Sequence, residues 1–497
     1  MSEKIDVLLI NPGNSKSIFQ GLAQEFTSIE PPVFCGLFAS YLRRKGLSVS
    51  IFDMVLYGTS PKKTAEVVSD TMNPDLIVIV VYGAQPSAST QNMTVAEELV
   101  LYLKFADPNI PIMMTGTHPA ALPRLTMEEC PDLDFVCDLE GPVTIYKTHE
   151  ALKYGQTDFS EIPSLWWRER LTNKIIQPKK QEALLYDLDQ EMPGIAWDLM
   201  KPPRMYKSHN WHSFAHIKER SPYAAIHTSL GCPYSCSFCC INAPFGKPAY
   251  RMWSPEVVVE ELTTLVEQHD VFNVKFVDEM FVLNPRHVLD LCRGIKEAKL
   301  KLNIWAYARV DTVQDKFLEA LKEAGVNWLC LGIESASQYV RDGAEKKYGN
   351  EEIINTVRRI QKAGINVIGN YIFGLPDDTV ERMQETLNLA LELNCEYANF
   401  YSAMAYPGSQ LYKLAVEQGK GLPEKWEDYS QHGYWTLPLA NDYCSSKEIL
   451  AFRDAAFTRY FTDIHYRAMI KWRFGSDVVG HINRMVKIPL KRRILGD

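Results

Sequence analysis

The chain has 497 residues, of which 46% are hydrophobic and 23% are charged, and its formal net charge is −8. This length predicts two or three domains, and the composition is that of a soluble globular protein without an apolar run long enough to cross a bilayer. The negative net charge argues against nucleic acid as a partner. The N-terminal stretch MSEKIDVLLINPG lacks the pattern of a signal peptide, so we expect a cytoplasmic location. In that reducing compartment, eleven cysteines indicate packing residues plus a metal or redox site rather than a disulfide framework.

Residues 1–150 alternate between short β-rich runs and helix-like segments, which predicts an N-terminal α/β domain. The run LIVIVV is apolar at every position, as expected of a strand that is buried on both faces. A helix is predicted at VFCGLFASYLRRKG, where Val33, Leu37 and Tyr41 share one face. Five strands with intervening helices predict an open parallel sheet of the Rossmann-like (flavodoxin-like) type. The predicted strands are IDVLLIN, SVSIFD, DLIVIVVY, PIMMTG and LDFVCD.

The rest of the chain divides into three further segments. Residues 151–220 contain prolines and aromatic residues without a sustained period, which predicts an irregular linker. Residues 221–410 return to the alternation of strands and helices, and six such units predict a partial (βα)6 barrel. Residues 411–497 are predicted to form an α-rich C-terminal cap. From about residue 467 this cap carries eight Lys or Arg against two Asp, and contact with anionic lipid is a less favoured interpretation than a solvated helical end.

The stretch SLGCPYSCSFCCINAPFG places four of the eleven cysteines within nine positions. Cys232, Cys236 and Cys239 have the spacing C-x3-C-x2-C, and three thiolates on one tight loop can each bind an iron of a [4Fe–4S] cube. The fourth iron then has no cysteine ligand from this motif. Zinc prefers two C-x2-C pairs or a Cys/His set, and buried thiols do not usually cluster on a loop of this kind, so both alternatives are disfavoured. Cys240 is predicted not to be a ligand, and it is the substitute if the frame of the motif is wrong.

The cysteine loop resembles the signature of the radical S-adenosylmethionine (radical SAM) superfamily. Over about residues 4–410 the chain resembles the cobalamin-binding branch of that family, which has a B12-type domain in front of a radical SAM barrel. The resemblance implies a catalytic [4Fe–4S] cluster on Cys232, Cys236 and Cys239, with the amino and carboxylate groups of SAM on the fourth iron. It also implies that one electron from the reduced cluster cleaves SAM to a 5′-deoxyadenosyl radical. Phe238, which precedes the last of these cysteines, is assigned to the SAM site.

Polar residues follow several of the predicted barrel strands, at the rim where barrel chemistry takes place. KFVDEMF places Asp278 and Glu279 there, and a carboxylate at this point can accept hydrogen bonds from the ammonium or ribose of a cofactor. AYARVD adds Arg309, and GIESAS adds Glu334 and Ser335. These positions resemble the family's contacts to SAM, although the common Gly-Gly-Glu form is absent, so the choice between the two acids stays open. The alternative for each residue is a helix cap or an exposed ion pair.

Loops of the N-terminal domain form the predicted cobalamin site. Ligands of an open parallel sheet bind beyond the carboxyl ends of the strands, and small residues there would let a flat macrocycle approach the backbone. The GTHP loop and the later Glu-Gly turn resemble the cobalamin domain of this branch. The Asp-x-His-x-x-Gly motif, whose histidine ligates cobalt, is absent, so we expect a cobalamin without a histidine on its lower face. The alternative is a vestigial scaffold with no corrin. The predicted cobalamin contacts are Gly13, Ser87, Gly116, Thr117, His118 and Gly141.

The resemblance implies an enzyme that performs cobalamin-dependent C-methylation of an unactivated carbon in a small-molecule substrate, with a donor such as flavodoxin or ferredoxin supplying electrons. The main alternative is radical cyclisation, dehydration or rearrangement without methyl transfer, on an N-terminal domain that is vestigial or structural. An iron–sulfur electron carrier is a third class of hypothesis. It is disfavoured because a carrier needs a fully ligated cluster and no carboxylate-rich barrel rim.

Overall fold

The computed structural model describes residues 4–13, 18–23, 25–83, 85, 87–181 and 184–497. Within them the chain forms a sheet of seven strands, a second sheet of six strands and a small two-stranded ladder. Among the described residues, no helix combines the length and the apolar character that crossing a bilayer requires. The α/β class predicted from the sequence is confirmed.

The first sheet contains β1 (Ile5–Asn11), β2 (Val49–Asp53), β3 (Pro74–Val81), β4 (Ile112–Gly116), β5 (Phe135–Cys137), β6 (Leu165–Arg168) and β7 (Ile175–Ile176). Its strand order is β2-β1-β3-β4-β5-β6-β7. The first five strands are parallel and lie where the sequence predicts them, in the order of a flavodoxin-like domain. From Leu76 to Val81, strand β3 is almost fully buried, because helices cover both of its faces.

Helices connect the strands of this sheet, and α3 begins with an ordinary helix start signal. Pro61 begins α3, and the hydroxyl of Ser60 accepts a hydrogen bond from the backbone N–H of Lys63 (3.3 Å). The predicted helix at residue 33 is present and turns Leu37, Phe38 and other apolar residues into the core. The helices are α1 (Val33–Arg44), α2 (Met54–Tyr57), α3 (Pro61–Thr71), α4 (Ala88–Gln91), α5 (Met93–Ala106), α6 (Thr117–Ala121), α7 (Pro123–Glu129) and α8 (Pro142–Lys153).

The segment predicted as a linker extends the first sheet before it becomes irregular. Strands β6 and β7 run antiparallel to their neighbours, so the sheet continues to Ile176. The short helix α9 (Leu188–Glu191) follows, and three segments of 3₁₀ helix then lead towards the second sheet. The domain boundaries at residues 150, 220 and 410 stay predictions.

The second sheet is the predicted partial barrel of six parallel strands. Its strands are β8 (Tyr223–Ile226), β11 (Asn273–Phe276), β12 (Asn303–Arg309), β13 (Val326–Glu334), β14 (Asn366–Phe373) and β15 (Tyr397–Ser402). Within the described residues the edge strands β8 and β15 do not pair with each other, so the barrel is open. The ladder of β9 (Ser229–Leu230) and β10 (Arg251–Met252) closes off the cysteine loop that lies between them.

Helices return the chain between the barrel strands and then form the C-terminal cap. In α10, Val258, Leu262 and Leu265 recur at helical spacing and are buried against the sheet. The barrel helices are α10 (Pro255–His269), α11 (Pro285–Glu297), α12 (Asp315–Glu323), α13 (Gln338–Gly343), α14 (Asn350–Lys362) and α15 (Val380–Leu393). The cap contains α16 (Gln410–Glu417), α17 (Ser446–Phe461), α18 (Ile464–Phe474) and α19 (Ser476–Val486).

Two buried ion pairs join the N-terminal domain to the barrel. Lys275 in β11 lies 2.8 Å from Glu30, which precedes α1. Arg251 in β10 lies 2.7 Å from Glu140, in the loop after β5. Removing one partner of such a pair leaves an uncompensated buried charge, so these contacts specify how the two domains face each other.

Candidate active site

A cavity of about 320 Å³ lies where the carboxyl ends of both sheets face each other. The barrel strands and the cysteine loop form one wall, and the loops after β3 and β4 form part of the other. Most of the lining is apolar or aromatic. Among the described lining residues, the charged side chains are Glu279, Arg309, Glu334 and Lys346, all of which belong to the barrel side. The cavity therefore has a charged wall and an otherwise neutral interior.

The backbone of the cysteine loop is held in one conformation by local contacts. Gly231 has a φ of +82°, and a Cβ at this position would lie 2.6 Å from the carbonyl oxygen of Ala249. Only glycine fits such a close approach without strain. The N–H of Cys239 donates to the carbonyl of Cys236 (3.0 Å), and the N–H of Leu411 donates to the carbonyl of Ser237 (2.8 Å). The loop is thereby tied both to itself and to the C-terminal cap.

Cys232, Cys236 and Cys239 all line this cavity, as the sequence predicts for a shared cluster. Cys236 is partly exposed and Cys239 is exposed. Burial raises the pKa of Cys232 to about 11 and raises the pKa of the partly buried Cys236 as well. These groups are therefore thiols in the metal-free protein, and a bound metal centre would displace their protons. Three sulfur donors on one loop suit an iron–sulfur cluster.

The fourth cysteine of the loop, Cys240, has a different environment. It is 3% exposed although it borders the cavity, and burial raises its pKa to about 12. Cys240 packs next to Gly408 and Ala121 of the N-terminal domain. A Cβ added to Gly408 would lie 3.5 Å from the Cβ of Cys240 and 3.2 Å from that of Ala121. This packing supports the prediction that Cys240 is a structural residue, which stays untested.

The two adjacent acids after β11 point to different places. Asp278 is fully buried and accepts hydrogen bonds from the N–H and hydroxyl of Thr228 (both 2.6 Å) and from the hydroxyl of Ser229. It fixes the start of the cysteine loop and lies outside the cavity lining. Glu279 lines the cavity, its Oε2 has no hydrogen-bond partner, and burial raises its pKa to about 8. Glu279 is therefore the acid that can meet a ligand, a choice that the sequence left open.

Arg309, at the end of β12, lies directly beside the cysteine loop. Its guanidinium stacks over the ring of Tyr234 at 3.9 Å and is paired with Asp311 (3.0 Å). One of its terminal nitrogens donates to Cys236 Sγ at 3.5 Å. A fixed positive charge at this distance stabilises a thiolate, so Arg309 can compensate the negative charge of a metal-bound Cys236.

Lys346 is a lining residue that the sequence analysis missed. Its ammonium is hydrogen bonded to Glu334 and lies 3.2 Å from the carbonyl of Gly332 and 5.9 Å from the ring centre of Phe238. The side chains of Lys346 and Glu334 are each 6% exposed. Glu334 and Phe238, two of the predicted SAM contacts, line the cavity, and the charge of Glu334 is already paired before any ligand binds. The two adjacent lysines in RDGAEKKYG were the signal in the sequence that could have pointed to Lys346. No local pattern connects them with Glu334, however.

Ser335 lies behind the cavity wall. Its hydroxyl is 3.2 Å from that of Thr386 in α15 and accepts a hydrogen bond from the N–H of Ser337 (3.1 Å). It is fully buried and outside the cavity lining, so the structure does not bring it to the other predicted SAM contacts.

The N-terminal domain contributes neutral side chains to the opposite wall. Of the predicted cobalamin contacts, Ser87 and Thr117 line the cavity. Beside them the rings of Phe34 and Tyr82 stack with 3.8 Å between their centres. Gln85 also lines this wall. A flat aromatic surface with amide and hydroxyl groups suits a macrocycle that carries amide side chains.

The other predicted cobalamin contacts lie outside the lining. A Cβ on Gly116 would lie 2.1 Å from the Val81 carbonyl oxygen, and one on Gly13 would lie 2.6 Å from Val55, so packing within the domain explains both glycines. Gly141 similarly faces Thr115 and Phe38 at 3.1–3.4 Å. Gly116 and Gly141 also have φ values of +147° and +114°, a left-handed region that favours glycine.

His118 is fully buried at the start of α6. Its Nδ1 lies 3.2 Å from the hydroxyl of Thr90, and its ring packs edge-on against Trp426 with 4.5 Å between centres. Burial lowers its pKa to about 3. Both its Nε2 and the nearby Thr115 hydroxyl are buried without a hydrogen-bond partner. Two unsatisfied polar atoms at the carboxyl edge of the sheet fit a domain that receives a polar ligand there.

The fold and the cavity define an α/β enzyme that can hold a metal centre between two domains, and comparison with known proteins gives its family. The model of the Radical SAM superfamily matches residues 226–390, and the B12 binding domain matches residues 20–147. An uncharacterized methyltransferase of Pyrococcus horikoshii is 30% identical over 400 residues, which cover 80% of this chain and 82% of that protein. An anaerobic magnesium-protoporphyrin IX monomethyl ester cyclase of Rubrivivax gelatinosus is 24% identical over 478 residues, covering 95% of this chain and 79% of that protein.

The fold matches the solved structure of the radical SAM methyltransferase TsrM of Kitasatospora setae, which has cobalamin and a [4Fe–4S] cluster bound. The TM-score is 0.69 at 15% identity, and the match covers 97% of this chain and 100% of that one. The chain belongs to the radical SAM superfamily, in the branch with an N-terminal B12-binding domain. It is an enzyme for a small-molecule substrate, and its cofactors are a [4Fe–4S] cluster, SAM and cobalamin.

Proposed function

We propose that the protein methylates an unactivated carbon of a small molecule by cobalamin-dependent radical SAM chemistry. The observation that supports this most directly is the shared cavity, where three cysteines on the barrel wall face the loops of the B12-binding domain. When bound, the reduced cluster and one SAM would supply a 5′-deoxyadenosyl radical that removes a hydrogen atom from the substrate, and the cobalamin would supply a methyl group taken from a second SAM, which leaves as S-adenosylhomocysteine. The chain itself must bind these groups, orient the substrate and exclude water.

The charged wall is the proposed SAM site. Cys232, Cys236 and Cys239 hold the cluster, and Arg309 balances the charge of the thiolate at Cys236. Glu279 has an unpartnered carboxyl oxygen in this wall, so it accepts hydrogen bonds from the SAM amino group.

Lys346 and Glu334 complete this wall as a pair. The ammonium of Lys346 binds the SAM carboxylate while Glu334, on the same wall, accepts from the ribose hydroxyls. Phe238 supplies an apolar face beside them. The pair fixes both side chains before SAM arrives, which lowers the entropy lost on binding.

The neutral wall is the proposed cobalamin face. Ser87 and Thr117 bind the amide groups of the corrin, and the stacked rings of Phe34 and Tyr82 lie against apolar atoms. Aromatic side chains of the barrel wall such as Tyr307 line the space between the two walls. Once the cofactors and the substrate fill this mostly apolar cavity, it would protect a carbon radical from side reactions.

Methyl transfer is favoured over cyclisation by the relatives. The methyltransferase of Pyrococcus horikoshii is 30% identical to this chain, and the cyclase of Rubrivivax gelatinosus is 24% identical. Radical rearrangement without methyl transfer is the alternative, and the experiment below distinguishes it by its products.

We further propose that a flavodoxin or ferredoxin reduces the cluster in the cytoplasm. Cleavage of SAM takes one electron from the reduced cluster, which a carrier of this kind would resupply. The basic C-terminal tail is part of the fold, because Arg492 is fully buried and paired with Asp454 at 3.0 Å.

The test uses anaerobically reconstituted protein with dithionite and SAM, with and without hydroxocobalamin. Retained corrin together with 5′-deoxyadenosine and S-adenosylhomocysteine is expected for the methyltransferase. Cys236→Ala should retain the corrin but form no 5′-deoxyadenosine, because the two cofactors bind to different walls. Cys292→Ala, a buried cysteine of α11 outside the cavity, is the matched control and should behave as wild type.

Two results would overturn the proposal. Formation of 5′-deoxyadenosine alone, with no corrin held, would assign the protein to radical rearrangement. Absence of both nucleosides from a protein that contains its full complement of iron would refute SAM chemistry at this site.

A further inference from the structure

A cluster of ionisable side chains lies at the edge of the first sheet opposite to the cavity. Asp6 is near the start of β1 and Asp75 near the start of the neighbouring β3, where the flanking residues Ile5 and Pro74 are paired. His149, near the end of α8, packs over both strands. The three residues therefore come from three different elements and meet at one point.

The imidazole of His149 has unusual surroundings. The side chain is fully buried, and neither ring nitrogen has a hydrogen-bond partner. Its Nε2 faces Asp6 Oδ1 at 3.6 Å and Asp75 Oδ2 at 3.8 Å, and its Nδ1 faces Glu150 Oε1 at 3.6 Å. Buried polar groups normally form hydrogen bonds. An imidazole that has carboxylates near both nitrogens but forms no hydrogen bond with any of them therefore needs an explanation.

We propose that His149, Asp6 and Asp75 bind one divalent cation, with Zn²⁺ as the best fit. The distances of 3.6 and 3.8 Å are too long for hydrogen bonds. They are close to the separation of about 3.3 Å between ligands that share a tetrahedral zinc with bonds of about 2.0–2.1 Å. Imidazole nitrogen and carboxylate oxygen are both zinc ligands, and a water molecule takes the fourth position.

The surrounding contacts orient the ligands towards this common point. The N–H of Ser48 donates to Asp6 Oδ2 (2.7 Å), which turns Oδ1 towards the imidazole. Glu150 Oε1 lies 3.6 Å from Nδ1, so a carboxylate flanks the second ring nitrogen while Nε2 faces the two aspartates. A metal-bound histidine commonly has a carboxylate on its second nitrogen.

The cluster carries an excess of one negative charge. Asp6, Asp75 and Glu150 bring three carboxylates, against the two ammonium groups of Lys4, 3.0 Å from Asp75, and Lys153, 4.0 Å from Glu150. A cation would fasten α8 to β1 and β3, on the side of the domain away from the cofactors. The site is therefore structural. The rival arrangement is a protonated His149 that forms ion pairs with the same carboxylates and binds no metal.

The experiment measures zinc and iron by mass spectrometry on cluster-loaded protein after equilibrium dialysis against micromolar ZnCl₂. Wild type is expected to hold one zinc per chain more than His149→Asn and Asp75→Asn, with equal iron in all. Asp75 is a partly exposed residue, so its variant keeps the test valid if the buried His149→Asn fails to fold. The matched control is His465→Asn, an exposed histidine of α18, which should bind zinc as wild type does.

A thermal unfolding curve with and without zinc gives the second measurement. Zinc should raise the unfolding temperature of wild type and His465→Asn but not that of Asp75→Asn, because a ligand of the folded state stabilises it. Equal zinc in wild type, His149→Asn and Asp75→Asn would overturn the proposal and leave the protonated ion pair. Zinc gained only where iron is lost would also overturn it, since the metal would then occupy the cysteine loop.

Discussion

Glu279→Gln should remove a pH-dependent part of the affinity for SAM. Burial raises the pKa of Glu279 to about 8, so its carboxyl group is mostly neutral at pH 7 in the free protein. SAM brings a positive charge to the charged wall and favours the ionised carboxylate. Binding should therefore release a proton from Glu279, and the affinity should rise with pH and become constant above the pKa.

The magnitude follows from that pKa. A carboxyl group with a pKa of about 8 is ionised to about 9% at pH 7 and about 91% at pH 9. The SAM affinity of wild type should accordingly increase about tenfold between these pH values, equivalent to about 1.4 kcal/mol. In Glu279→Gln the side chain is neutral at every pH, so this contribution should disappear.

The assay is isothermal titration of SAM into oxidised, cluster-loaded protein at pH 7, 8 and 9, without a reductant so that no SAM is cleaved. The amino group of SAM itself titrates near pH 8, so the quantity of interest is the difference between wild type and Glu279→Gln. Titrations in two buffers with different heats of ionisation count the released protons directly. Glu319→Gln, an exposed residue of α12, is the matched control and should reproduce the wild-type profile.

Parallel pH profiles for wild type and Glu279→Gln would refute this reasoning. They would mean that Glu279 does not contact a cationic group of SAM. An affinity of wild type that falls with rising pH would show that the sign is wrong and that Glu279 acts as a neutral donor.

Three further predictions concern the cluster, the buried ion pair and the cobalamin side. Cys236→Ala should lose the iron of reconstituted protein while Cys240→Ala keeps most of it, and iron loss in the second variant would move the ligand frame by one residue. Lys346→Met leaves Glu334 buried and unpaired, which should cost about 3–5 kcal/mol in urea unfolding and be partly recovered by adding Glu334→Gln; wild-type stability of the single variant would contradict this. His118→Phe should keep the corrin. The cobalt(II) EPR spectrum of wild type should lack nitrogen splitting, and the presence of such splitting would make His118 a cobalt ligand.

The class of fold could be predicted because periodicity is a local property. Helix α10 (Pro255–His269) is an example, since a proline start, an apolar stripe and a left-handed Asp270 after it all act within a few residues. Strand β3 was recognisable for the same reason, because only a strand covered on both faces is apolar at every position. Strands β6 and β7 were missed, since β6 is held by a partner that is distant in the sequence.

The cluster motif was also readable, because the three cysteines lie on one loop and their spacing sets which metal centre they can bind. The remaining site was predicted only in part. Glu279, Arg309 and Glu334 reach the cavity, whereas Ser335 lies behind its wall. A position at the end of a strand is visible in a sequence, but the side to which the residue points is not.

The sequence by itself determined the two α/β domains, their order and the chemistry of the cysteine loop. Only the tertiary structure decided that Glu279 rather than Asp278 meets the cavity, that Lys346 is the partner of Glu334, and that Glu140 and Arg251 join the two domains. The physical reason is the range of the interactions. Spacing and capping act over a few residues, whereas a buried charge takes its partner from whichever element the packed core places beside it.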